Sequence, residues 1–249
     1  MQAAASPRST PRGSSSGLHG QVVDDVGQQI INGTLAPGTT ILADQLCARL
    51  GISRSVVREG LRTLSSMGLV QSRPQRGTIV LSQDQWDLLN PHIIRWRGQG
   101  PDHMDQMNQL LELRLGLEPA AAHFAAVRMT AVERSAIVDA AEQMQKAYDA
   151  DDTYGFFHAD ARLHRLLLEG SYNPVIAQFA GMVNALLQLR GGFSARRYSI
   201  HGIAEASVDR HLRMAASLAA GDQASAEAIT REIILATIAE VDSLRQAER

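Results

Sequence analysis

From Trp86 to the end, the chain repeats one pattern: apolar residues at helical spacing, interrupted by short clusters rich in Gly, Pro, Asp and Ser. The breaks fall at "GQGPD", near "RMT", around "DADDT", at "GSYNP", through "RGGFSARRYSIHG" and at "AAGD". This spacing predicts six or seven helices in an antiparallel arrangement, the first of them kinked or interrupted at Pro91. A mainly α chain follows, with residues 83–249 as one helical domain and "SQDQ" at its edge.

The front of the chain is organised differently. Residues 1–17, "MQAAASPRSTPRGSSSG", hold no periodic apolar residues and are expected to form a flexible arm, with Arg8 and Arg12 available to brush phosphates. Residues 18–82 then read as helix, short helix, turn, helix and hairpin, the order of a winged helix-turn-helix. Val22, Val26, Ile30 and Ile31 form the first apolar stripe, which ends at "NGTLAPG". "LADQLCARL" is closed by Gly51, and Ser53 is the expected N-cap of a third helix from about Arg54 to Met67. In that helix Val57, Leu61 and Leu64 face inward, while Arg54 and Arg58 share a face free of core residues. Arginines so placed can meet phosphates or guanine edges in a major groove, or simply form a solvated helix face. "GLVQSRPQRGTIVL" reads as two β-prone runs around a Pro/Gly turn.

Charge divides the same way. The whole chain carries −2, yet through Ser82 eight arginines stand against Asp24, Asp25, Asp44 and Glu59, a net of +4 that leaves −6 on the remainder. Only the front part is therefore suited to meeting a polyanion. The single cysteine, Cys47, excludes an internal disulfide framework and fits a reducing compartment. No apolar run approaches the ~18 residues of a membrane span, and no secretory signal opens the chain. A cytoplasmic protein without a membrane partner is expected.

"ADARLH" sets Asp160 and His164 four residues apart, on one helix face. Such a pair suits a metal site, half of an acid/base couple, or an ordinary solvated face. A metal-dependent hydrolase is the enzymatic alternative, but no H-E-x-x-H, G-x-S-x-G or P-loop accompanies the pair.

"LAPGTTI", "SRSVVREGL", "LSSMGLV" and "RGTIV", with the spacing between them, resemble the GntR family of bacterial transcriptional regulators over residues 20–81. The resemblance implies a homodimer on double-stranded operator DNA, contacted by Ser53, Arg54, Ser55 and Arg58. The wing at Arg76 and Gly77 would track the minor groove. This chain has Ala43 and Asp44 where many members carry a Glu-Arg pair. "LELRLGLEPAAAHFAA", "DARLHRLLLEGSYNPVI" and "HLRMAASLAAGD" resemble the ligand-sensing FCD-type domain of the FadR-like branch.

That branch implies an all-helical bundle holding a divalent metal on an Asp and three His. The corresponding residues here are Asp160, His164 and His211. Ile233 stands where a fourth histidine is expected, preceded by Glu232. One carboxylate and two imidazoles suit Zn²⁺ first, with Mn²⁺ or Ni²⁺ as alternatives. The resemblance also places Arg114 in an effector cavity. A surface pair with Glu118 is the plainer assignment for that arginine. Asn173, equally able to cap a helix before Pro174, and Arg190, in the loop-rich stretch, are further effector candidates. "QWDLLNPHIIRW" and "YNPVIAQF" resemble sugar-acid-responsive members. The expected function is thus a repressor of galactonate-type catabolism genes, released by a small carboxylate; a regulator of the same family responding to another hydroxy acid, an amino acid or an acyl thioester is the alternative.

Overall fold

The computed structural model describes residues 17–74, 76–194 and 205–247. All of the expected arm except Gly17, and the part of "RGGFSARRYSIHG" that includes His201, lie outside the described residues. The chain divides into two compact units, one ending at Trp86 and the other beginning at Asp87.

The first unit runs α1 (Leu18–Ile31), β1 (Thr40–Ile41), α2 (Ala43–Leu50), α3 (Arg54–Ser66), β2 (Val70–Arg73) and β3 (Gly77–Val80). Helix α1 buries Val22, Val23, Val26 and Ile30, and it packs on α3, which buries Val57, Leu61 and Leu64. Helix α2 stops because Gly51 turns left-handed, φ 68°, with its N–H donating to the Cys47 carbonyl. A side chain there would meet the Cβ clash that makes this region costly for L-residues.

Ser53 does occupy the N-cap of α3, but its hydroxyl makes no capping bond and lies 3.1 Å from Ser55 Oγ. The expected hairpin is β2–β3, antiparallel from Val70↔Val80 to Arg73↔Gly77. A third strand, β1, joins it on the far edge of β3 through Thr40↔Ile79 and Ile41↔Thr78. Two residues are too few to show a period, so β1 left no trace in the pattern.

The second unit is helical throughout its described residues: α4 (Pro91–Arg97), α5 (His103–Arg128), α6 (Ala131–Asp149), α7 (Thr153–Gly170), α8 (Pro174–Ala177), α9 (Ala180–Ser194), α10 (Glu205–Ala220) and α11 (Gln223–Ala247). Pro91 does not kink a helix; it starts α4 from the first helical position, where its missing N–H costs nothing, with Asn90 Oδ1 accepting from the His92 N–H. The proline inside a helix is instead Pro119 in α5.

Helix α7 lies among α5, α6 and α9. Its Leu163, Leu167 and Leu168 are wholly buried, each contributing roughly 1.5–3 kcal/mol. The break expected through "RGGFSARRYSIHG" does not begin at its first residues, because α9 continues to Ser194. Gly191 is needed there: an added Cβ would stand 2.8 Å from Phe157 Cβ on α7.

Candidate functional site

The winged unit presents its polar candidates to solvent. Arg54 and Arg58 are exposed on α3, beside its buried Val57–Leu61–Leu64 face. Ser53 and Ser55 are exposed at its start. Arg76 is exposed in the wing turn, and Gly77 takes φ 87° at the base of β3. Arg54 Nε lies 2.8 Å from Asp44 Oδ1 on α2, and Glu59 accepts from Arg62 at 3.1 Å.

In the second unit, five helices bring polar groups to one small cavity of about 20 Å³. Helix α7 supplies Asp160 and His164, and α10 supplies His211. All three are buried. Asp160 Oδ1 is 3.2 Å from both His164 Nε2 and His211 Nε2, and the two nitrogens are 3.4 Å apart. Four-coordinate zinc with ligands at ~2.0–2.1 Å keeps its donor atoms roughly 3.3 Å from one another, so this triangle has the size of one face of such a site.

Each ring is oriented from behind. The Ser207 carbonyl sits 2.7 Å from His211 Nδ1 and can only accept, which puts the proton on Nδ1. Glu118 Oε2 on α5 stands 2.6 Å from His164 Nδ1 and favours the same tautomer. Both Nε2 lone pairs are therefore turned toward Asp160 Oδ1, which is buried and accepts no aligned hydrogen bond. Three electron-rich atoms facing one point call for positive charge there, either a cation between them or a proton on one imidazole. The residues present fit a divalent cation.

Charge in the cluster is interlocked. Burial alone would raise the Glu118 pKa, but Arg114 and then His164 outweigh it and hold the carboxyl down to about 2. Burial likewise works against the Asp160 carboxylate, and the two histidines overcome it to keep the group well below the usual range. For His164, burial is the largest influence and pulls down, but Glu118 and Asp160 together outweigh it, so its pKa is raised.

Arg114 lines this cavity, and it does pair with Glu118, although not at the surface. Its Nε and Nη2 donate to the two Glu118 oxygens at 2.6 and 3.1 Å, with both side chains sealed from solvent. Nη1 has no hydrogen-bond partner among the described residues. Arg190 also reaches the cavity, from helix α9 rather than from a loop.

Asn173 does not join the group. Its Oδ1 caps α8, accepting from the Val175 and Ile176 N–H groups. Ile233 is buried against the cavity, whereas the exposed Glu232 lies 3.6 Å from Arg213 and supplies no fourth ligand. Glu118 was missed as a site residue from sequence. Its i,i+4 spacing to Arg114 was the available signal, but the contact with His164 crosses from α5 to α7.

Residues 109–236 match the family model described as FCD domain, and residues 18–80 match that of bacterial regulatory proteins, gntR family. The galactonate operon transcriptional repressor of Escherichia coli K12 is 29% identical over 67% of this chain and 72% of its own length. The HTH-type transcriptional regulator LutR of Bacillus subtilis 168 is 31% identical over 80% of this chain and 90% of its own. Among solved structures, that of Lar, which controls the expression of the Listeria monocytogenes agr system, matches with a TM-score of 0.65. It covers 93% of this chain and 100% of its own at 19% identity, which is a likeness of fold.

Proposed function

The chain belongs to the GntR family of bacterial regulatory proteins, among the members with an FCD domain, and is a transcriptional regulator rather than an enzyme; we propose that it is a homodimeric repressor released from its operator by a small carboxylate of the sugar-acid class. The metal-hydrolase alternative is set aside by those same matches. The observation that carries the effector half of the reading is the buried triangle of Asp160, His164 and His211 beside an arginine-lined cavity. The sugar-acid class is taken from the resemblance to the galactonate operon repressor.

Ser53, Arg54, Ser55 and Arg58 enter the major groove, with Arg76 and Gly77 tracking the adjacent minor groove. Two copies on a two-fold axis read a short pseudo-palindrome. Asp160, His164 and His211 hold a divalent cation, Zn²⁺ in the first instance, with one side left open by Ile233. Such a cation supplies Lewis-acid positions for a hydroxy acid's carboxylate and α-hydroxyl. Arg114 holds Glu118 in place, Glu118 fixes the His164 ring, and Arg114 Nη1 remains for a ligand oxygen. A protein acting on chromosomal DNA works in the cytoplasm. Among the described residues no helix is long and apolar enough to cross a membrane.

Release requires the effector to bind the DNA-incompetent form more tightly than the competent one, since only that difference shifts the equilibrium. Fluorescence anisotropy of the full chain on DNA from its own upstream region, at fixed salt, tests the reading. Specific binding that D-galactonate or another sugar acid in a panel reverses is the expected result. Specific binding that no acid in the panel perturbs would remove the sugar-acid assignment.

A further inference from the structure

Two arginines line the cavity, and each faces a carboxylate of the chain itself, but in different surroundings. Arg114 grips Glu118 with two nitrogens in a fully dry setting. Arg190, on α9, donates from Nη2 alone to Glu240 Oε2 on α11, at 3.0 Å. These two side chains are 12% and 27% exposed, so the pair stands where the cavity meets water. Arg190 has a second anchor: its guanidinium carbon lies 5.3 Å from the centre of the Phe157 ring. Glu240 makes no other hydrogen bond or ion pair among the described residues. Of the two partners, Arg190 is the better anchored, which leaves Glu240 the freer to move.

A carboxylate coming from solvent thus meets a position already shaped for a carboxylate and already filled by one. The cavity behind it, about 20 Å³, has room for roughly one water, far less than an organic acid needs. We propose that Arg190 is the carboxylate-recognition residue of this cavity and that Glu240 is its built-in competitor. A ligand's carboxylate enters by taking Glu240's place, which parts α9 from α11 and gives the rest of the molecule access to the Asp160 cluster. No covalent bond changes; one anion replaces another on the same guanidinium. Monocarboxylates with hydroxyl groups near the acid function fit this exchange, and neutral sugars do not. The inference rests on the effector reading above.

The test uses the full chain loaded with Zn²⁺ and calorimetric titration with acetate, L-lactate and D-galactonate. Glu240→Gln, which keeps the shape and removes the charge, should bind at least one of these acids roughly tenfold more tightly than the parent chain. Arg190→Met should bind it at least tenfold more weakly. Access is read independently of metal and ligand by placing a thiol in the cavity, Thr237→Cys in a Cys47→Ser background. Its labelling by a small disulfide reagent should accelerate several-fold when Glu240→Gln is added.

Binding unchanged or weakened in Glu240→Gln, unchanged binding in Arg190→Met, or unchanged labelling overturns the exchange. If an acid still releases the parent chain from DNA in that case, the effector reading stands without it. Faster labelling with no acid bound by any variant also overturns it, and removes the carboxylate effector as well.

Discussion

Arginines on α3 and on α5 do opposite work with the same chemical group. Arg54 and Arg58 stand on an exposed helix face, where the ion pair of Arg54 with Asp44 is itself open to water. Arg114 is sealed in the second unit, and its guanidinium is part of the packing that holds Glu118 and, through it, His164. An exposed arginine can be removed with little cost to folding, so a variant there would report recognition alone. A buried one in a pair cannot be removed without stranding its partner.

That contrast is open to direct attack. Arg114→Met should destabilise the second unit by about 3–5 kcal/mol in urea unfolding, because Glu118 keeps a buried charge without its main partner. The double variant Arg114→Met with Glu118→Gln should recover most of that loss while weakening Zn²⁺ affinity by about 10–100-fold, since His164 loses its rear carboxylate. If the double variant is no more stable than the single one, the pair is not the reason for the damage.

Zinc itself comes next in size. At a free concentration about 100 times its Kd, it should stabilise the parent chain by about 2.7 kcal/mol, seen as a shift in thermal unfolding. Asp160→Asn should abolish that shift. In the first unit, Arg58→Ala should cost about 1–3 kcal/mol of discrimination between operator and mismatched DNA in anisotropy. Its urea midpoint should move by no more than about 0.5 kcal/mol-equivalent, the usual range for an exposed position.

The smallest effect concerns an exposed carboxylate, the counterpart of Glu118. Glu133 closes a capping box on α6, accepting from the Thr130 N–H and hydroxyl. These bonds, the backbone one first, lower its pKa. Its contribution to stability is therefore present above the unfolded carboxylate value and lost as the pH falls through the lower folded one. Glu133→Gln should lower neutral stability slightly and leave stability at low pH nearly unchanged, which flattens the acid limb of a stability-versus-pH curve.

Much of this was legible because it is local. The helical period after Trp86, Gly51 as a stop and the Asp160–His164 face are all written within a few residues of one another. His211 lies 47 residues from His164, and spacing alone could not join them; the family resemblance did. The Arg114–Glu118 spacing was visible, but its burial was not, because that depends on the helices packed around α5. Arg190 was placed in a loop because two glycines follow it. Those glycines sit in a helix, and Gly191 is there because Phe157 leaves no room for a side chain. Asn173 showed the converse case, a polar residue with two plausible uses of which the local one, capping, accounts for its hydrogen bonds.

The cavity beside Asp160 measures about 20 Å³. A pocket with room for about one water cannot take an organic acid as it stands, so an acid that bound there would select the fraction of molecules in which the walls had parted. Its apparent dissociation constant is the intrinsic one divided by that fraction. The concentration at which such a sensor responds is then set largely by how well Ile233 and its neighbours pack when nothing is bound. Trimming that isoleucine would move the set-point of the response without touching a single polar contact to the ligand.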